Sequence, residues 1–252
     1  MADASAAAPA QTFEARLVRA RALAPNVRDL AFERVDGRPM AFVPGQWVST
    51  LLGPVDGASE MKRSYSIASA PDGSPRFEIA VTRVQGGPGS TRLHALEPGA
   101  ILPFVGPHGF FSRSAGPAGP PSLMIATGTG VTPMRSMARA AAAAGPSAPI
   151  WLILGVRREE DLIYGDEFRA LARDHEFFRF EPTLSQPGES WTGRRGYVQT
   201  HTRALWEELA ARSAGPPHAY VCGLERMVGS VRELLRKDMG VPRQQVHSER
   251  YD

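Results

Sequence analysis

Apolar and polar residues alternate in short runs through the first hundred or so positions of the chain. Phe77, Ile79 and Val81 are separated by Glu78, Ala80 and Thr82, the period-two pattern of a strand with one buried face. Similar runs occupy residues 13–19, 27–33, 46–52 and 101–105, divided by Gly and Pro. Many short strands with frequent turn signals predict a small antiparallel β-barrel over residues 13–113.

The texture then changes. Residues 114–121, rich in Gly and Pro, read as a linker. Beyond them, apolar strand-like runs at 123–126, 150–156, 177–180 and 219–222 alternate with helical stretches at 132–144, 166–174, 198–212 and 225–238. Alternating β and α units predict a parallel sheet covered by helices, which takes ligands at the carboxyl ends of its strands. The expected architecture is a β-barrel followed by an α/β domain over residues 122–252. Residues 1–12, small and Ala/Pro-rich at their start, read as a disordered tail.

Composition narrows the function. Of 252 residues, 42% are hydrophobic and 22% charged, enough for two cores. A net charge of +3 with dispersed basic residues argues against nucleic-acid binding, while leaving room for a basic face that meets an acidic protein. Cys222 is the only cysteine and the six histidines are scattered. The chain therefore has ligands for neither an iron–sulfur cluster nor a structural zinc, and no metal is expected. No apolar run reaches about 18 residues, and the first residues lack the basic start and apolar core of a secretion signal. A cytoplasmic monomer that does not enter membranes is expected.

Four segments carry candidate chemistry. Arg63-Ser64-Tyr65-Ser66 offers a guanidinium for a diphosphate, a ring to lie against another ring, and a hydroxyl for a ring nitrogen. Taken alone it reads better as a strand with alternating exposed polar residues. Gly86-Gly87-Pro88-Gly89-Ser90-Thr91 is a Gly-rich turn leading into a short helix at 92–96, suited to a phosphate or to a plain hairpin. Ala126-Thr127-Gly128-Thr129-Gly130-Val131-Thr132-Pro133 lies directly after a buried strand and before a helix, where a doubly wound fold binds a dinucleotide. Tyr220-Val221-Cys222-Gly223 ends another strand, and its Cys reads either as an inert buried residue or as part of the same crevice.

In this order, the four segments resemble the ferredoxin–NADP reductase family, and the resemblance spans residues 13–252. It implies FAD on the barrel and a nicotinamide nucleotide on the second domain. By matching motif, Arg63 would contact the FAD diphosphate, Tyr65 would stack on the flavin, and Ser66 would lie near the atom that accepts hydride. Gly89, Ser90 and Thr91 match the diphosphate turn, and Val81 lies in the strand whose backbone meets the flavin. Gly128, Thr129, Gly130 and Pro133 match the nucleotide loop, and Cys222 the nicotinamide side. Glu249 would assist proton transfer and Tyr251 would cover the other flavin face, although Asp252 follows it.

The same resemblance puts Arg157, Ser185, Arg195 and Tyr197 around the adenosine, with NADP(H) favoured over NAD(H) and Gln186 standing where NADPH-specific relatives often carry Arg. It implies a ferredoxin or flavodoxin as electron partner. An NADH-dependent reductase component of an oxygenase system, or a non-catalytic nucleotide-binding protein of the same fold, would carry the same motifs.

Overall fold

The computed structural model describes residues 10–53, 61–114 and 119–251. The expected tail and linker lie partly outside these residues, and Asp252 wholly so. Six strands, β1 (Gln11–Ala24), β2 (Val27–Arg34), β3 (Trp47–Leu51), β4 (Lys62–Ser66), β5 (Arg76–Thr82) and β6 (Ile101–His108), form an antiparallel sheet ordered β4-β3-β6-β1-β2-β5, with helix α1 (Pro88–His94) between β5 and β6. The alternation read at Phe77, Ile79 and Val81 puts all three in the barrel core. Phe13, Phe32, Phe77 and Phe104 meet there edge-on and stacked, with ring centroids 5.0–6.0 Å apart, geometries that suit the ring quadrupoles.

The second layer is a parallel sheet of β7 (Ser122–Thr127), β8 (Ile150–Val156), β9 (Phe178–Leu184), β10 (Arg194–Arg195), β11 (His218–Leu224) and β12 (Val246–Tyr251). Its order is β10-β9-β8-β7-β11-β12. Successive residues of β7 and β8 enter opposite faces. Met124, Ala126, Leu152 and Leu154 pack under α2 (Thr132–Ala144) and α3 (Gly165–Asp174). Leu123, Ile125, Trp151 and Ile153 pack under α4 (Val198–Arg212) and α5 (Glu225–Glu233). The chain winds outward from β7 through β8 to β10, then returns to the other side of β7 with β11. The crevice for a ligand thus opens between the carboxyl ends of β7 and β11. Among the described residues no helix is long and apolar enough to cross a membrane.

Two expectations change, and one element is new. The helix expected at 92–96 begins at Pro88 and ends at His94, because Pro88 presets the first-turn backbone after an extended Gly87. The helix expected over 225–238 stops at Glu233 and continues as a wider π turn over Leu234–Asp238, which keeps Leu235 fully buried. The final residues form a strand, β12, paired in parallel with β11. Nothing in their local pattern signals this, since the partner strand lies some 25 residues upstream.

A polar clamp joins the two layers. Arg135 of α2 is 2% exposed. It donates to the Ala68 carbonyl at 2.9 Å and to Glu78 at 2.6 Å on the barrel side, and to Glu167 of α3 at 2.9 and 3.0 Å. Its guanidinium also lies 4.3 Å from the Tyr164 ring centroid, a cation–π contact. Tyr164 adopts φ +56°, a left-handed conformation that is strained for a side chain of this size. From it, the hydroxyl reaches Asp29 of β2 at 2.9 Å. Asp29 is fully buried and is neutralised by Arg19 and Arg21 at 3.0 and 2.9 Å. Burial works against the charges of Arg135 and Glu78, but their mutual pairing and the Glu167 contacts win: the first is held further toward its cationic form and the second toward its anionic form. Ser136 adds a bond to the Ser69 carbonyl at 2.6 Å.

Removing one partner from a buried ion network strands the others, a loss of about 3–5 kcal/mol. Arg135→Met should therefore destabilise the protein by about that much in denaturant unfolding, and Arg135→Lys should recover only part, because one ammonium cannot fork to Ala68, Glu78 and Glu167 together.

Candidate active site

The site is built where the barrel edge meets the carboxyl end of the parallel sheet. Alternation along β4 puts Arg63 and Tyr65 on one face and Ser64 and Ser66 on the other. Ser66, 4% exposed, donates to Glu249 of β12 at 3.1 Å. Tyr251 donates to the same Ser66 oxygen at 2.5 Å, and its hydroxyl lies 3.3 Å from Thr132 Oγ1. Thr132 in turn donates to the Thr129 carbonyl at 2.8 Å. With both of these hydroxyl protons so committed, Tyr251 and Thr132 meet as a polar contact, and a line of polar contacts runs from barrel serine through the terminal strand to the nucleotide loop.

The floor of the crevice is backbone. Gly128 has φ +52° and opens a single 3-10 turn over Gly128–Val131, and Pro133 sits in the first turn of α2. A Cβ on Gly130 would fall 2.4 Å from the Cys222 carbonyl oxygen, and one on Gly223 would fall 2.3 Å from Thr127 Oγ1. The two motif loops interlock because both positions lack a side chain. Cys222 pairs in register with Ala126 on one side and Glu249 on the other, which brings all three to one level of the sheet. Its thiol is fully buried. Burial, reinforced by the Glu249 charge, pushes it well up, with only partial relief from the Tyr251 hydroxyl. A thiol so buried is held toward its protonated form, which suits packing better than nucleophilic attack.

Burial also raises Glu249 above its ordinary value of 4.5, with the Ser66 bond pulling the other way. Tyr65 is pushed up to about 12 by burial, against the Arg63 charge. Tyr251 is also raised well above its ordinary value, by burial and then by the neighbouring Cys222 and Glu249.

The remaining motif residues lie around this centre. Gly89 abuts Arg63: a Cβ there would sit 3.1 Å from Arg63 Cγ and 3.3 Å from Nε. The guanidinium of exposed Arg63 thus stands beside the first turn of α1, which carries Gly89, Ser90 and Thr91. The Ser90 hydroxyl is spent within the loop, accepting from Val84 N–H at 3.0 Å and donating to the Gly87 carbonyl at 3.1 Å. Val81 stands apart from the cluster: its side chain is in the barrel core, and His94 Nε2 lies 2.8 Å from its carbonyl oxygen. The next residue, Thr82, faces Thr129 at 3.3 Å and links β5 to the nucleotide loop.

Arg157, Ser185, Arg195 and Tyr197 follow or end β8, β9 and β10, and neighbouring registers bring them to one edge. Arg157 is exposed, Tyr197 is 65% exposed, and Arg195 donates to the Trp191 carbonyl at 2.7 Å. The adjacent Arg194 is instead committed to Glu181 at 2.7 Å. Thr132 and the Arg135 clamp were not singled out in the sequence; a Thr before Pro and one Arg in an Arg-rich chain carry no local mark of either contact.

A family model described as an oxidoreductase FAD-binding domain matches residues 14–112, and one described as an oxidoreductase NAD-binding domain matches residues 124–233. The chain is 60% identical over 245 residues to ferredoxin–NADP reductase B of Sorangium cellulosum (strain So ce56), covering 96% of this chain and 99% of that one. It belongs to the ferredoxin–NADP reductase family. It is 28% identical to the phenol hydroxylase P5 protein of Acinetobacter pittii (strain PHEA-2), covering 96% of this chain but 66% of that protein. The fold matches a ferredoxin–NADP+ reductase of Neisseria gonorrhoeae, solved with FAD and NADP, at a TM-score of 0.76 and 22% identity over 95% of this chain and 98% of that one. The protein is an FAD-dependent oxidoreductase.

Because the folded state raises Glu249, it binds that proton more tightly than the unfolded chain does. Stability therefore falls as pH rises through the ordinary value of 4.5, and the loss is complete once the raised folded value is passed. Glu249→Gln should flatten this part of a Tm-against-pH curve and leave the neutral-pH Tm equal to or above that of the parent. A lower Tm at neutral pH would show that the carboxylate is structurally required.

Proposed function

We propose that the protein exchanges hydride with NADP(H) through bound FAD and passes electrons singly to a ferredoxin or flavodoxin. The observation that carries this reading is the Ser66–Glu249 bond, reinforced by Tyr251, which joins the barrel to the nucleotide domain at one point. FAD, when bound, supplies the ability to take electrons in pairs and give them up one at a time. The residues fit it: Arg63 beside Gly89 and the first turn of α1 forms a cradle for a diphosphate, a charge-assisted arrangement. Tyr65, half-buried and uncharged, offers a flat apolar face.

Each site residue then has a defined task. Ser66 is held by two hydrogen bonds, so its hydroxyl direction is fixed before any ligand arrives. Glu249, raised by burial, is poised to hold or release a proton at Oε1, one bond from Ser66. Cys222, neutral and packed, shapes the wall on which a nicotinamide would lie. Tyr251 fills the space between Ser66, Cys222 and Thr132 and has to shift for a ring to enter. Arg157, Arg195 and Ser185 supply two cations and a hydroxyl at one edge, which suits a ribose 2′-phosphate, and Tyr197 is free to stack on an adenine.

The electron carrier in this reading is a separate protein, and the name of the Sorangium relative supports a ferredoxin in that role.

A visible spectrum of the purified protein, followed by anaerobic titration with NADPH and with NADH, tests the reading. A flavin spectrum bleached by NADPH at lower concentration than by NADH is expected. Replacing Arg157 and Arg195 by Gln should raise the KM for NADPH about tenfold or more, the equivalent of losing one charge-assisted hydrogen bond, and leave that for NADH nearly unchanged. Equal effects on both nucleotides would remove the assignment.

A further inference from the structure

His218 and His247 lie on the two strands that carry Cys222 and Glu249, and the reaction assigned above gives them no task. His218 Nδ1 and His247 Nε2 are 2.9 Å apart. The ring centroids stand 5.2 Å apart at an interplanar angle of 17°. That separation is as large as two imidazoles in such contact can reach, so both nitrogens lie on the line between ring centres. The rings are nearly coplanar and share one straight N–H···N hydrogen bond. His247 is held from the side by Tyr220, its register partner, with centroids 4.7 Å apart and planes 16° apart.

We propose that His247 and His218 form a proton relay that serves Glu249. His247, Glu249 and Tyr251 occupy alternate positions of β12 and face the same side, the one opposite exposed Ser248 and Arg250. Alternate positions are about 7 Å apart, a span that one water molecule bridges between a carboxyl and an imidazole, and both residues are half-exposed. His218 is diagonal to His247 on the side away from Glu249, since Tyr220 is the residue directly opposite. The line therefore leads away from the crevice and ends about 13 Å back along β11 from Cys222.

The relay rests on the function proposed above, whose stoichiometry requires an outlet. NADPH and two oxidised one-electron carriers give NADP+, two reduced carriers and one proton. With nucleotide in the crevice and a carrier at its mouth, the direct route from Glu249 to solvent is covered, while His218 stays open at the far end. A proton leaving Glu249 binds His247 Nδ1, the shared proton crosses from His247 Nε2 to His218 Nδ1, and His218 Nε2 gives one to water. Tautomer exchange with water restores the pair. The titratable and charged groups facing the pair are Tyr220 and Cys222 from β11, Glu249 and Tyr251 from β12, and Arg113 after β6, whose charge is felt at Tyr220. Burial lowers both histidines, so at neutral pH both rings are uncharged and able to accept.

The test uses the whole protein with its flavin and the variant His247→Phe, which keeps a ring against Tyr220 and removes the nitrogens. Turnover of a one-electron acceptor with NADPH should fall several-fold and be restored by added imidazole. In nitrogen NMR of the histidine rings, the His247 titration should move when Glu249→Gln is introduced. Parent-like turnover in His247→Phe, a loss that imidazole does not restore, or a His247 titration indifferent to Glu249→Gln would each overturn the relay. Failure of NADPH to reduce the parent flavin would instead overturn the proposed function, and the NMR titration then decides the relay by itself.

Discussion

The arrangement of the two layers depends on Arg135. A buried guanidinium is costly unless every donor is met, and this one is met from both sides: Ala68 and Glu78 on the barrel, Glu167 on the nucleotide domain. Its position gives the clamp leverage over the chemistry. Arg135 lies one turn into the helix that begins at Thr132, immediately after the nucleotide loop. Ala68 lies two residues after Ser66. The same side chain therefore ties the helix after the nucleotide loop to the segment that follows the serine strand, and the contacts of Ser66 with Glu249 and Tyr251 cross the boundary that it spans.

The conspicuous parts of the sequence were those whose signal is local. Alternation at Phe77, Ile79 and Val81 marks a strand whatever its partners are, and the strand–glycine–helix transition at Ala126 to Pro133 marks a crevice because its backbone demands are met by neighbouring residues. The resemblance to a family then joined segments that no periodicity connects. Less legible were features made by distant pairs. Strand β12 looks like a chain end until β11 is beside it. Arg135 looks like any other arginine of an Arg-rich chain. Tyr164 shows no sign of the left-handed backbone that sends its hydroxyl to Asp29. Val81 marks a further limit: a residue singled out by its place in a motif stands apart from the cluster, with its side chain in the barrel core and its carbonyl beside an imidazole.

Polar groups in the site are arranged by burial more than by ion pairing. Glu249, Tyr65, Tyr251 and Cys222 are all pushed toward their uncharged forms, each with burial as the leading cause. With the Cys222 thiol and the two tyrosine hydroxyls held toward their uncharged forms, Glu249 and any charge brought by a ligand set the field in the crevice. The cations are kept outside it, at Arg63 beside α1 and at Arg157 and Arg195 on the sheet edge, where they can fix phosphates without disturbing the reacting centre.

The Ser66–Glu249 bond joins residues 183 positions apart, and Glu249 lies on the last of the described strands. During synthesis the barrel and both motif loops leave the ribosome well before this carboxylate does. The contact therefore forms only once β12 has paired with β11, and two layers folded without that pairing would hold every glycine of the crevice and still lack the carboxyl and the ring beside it.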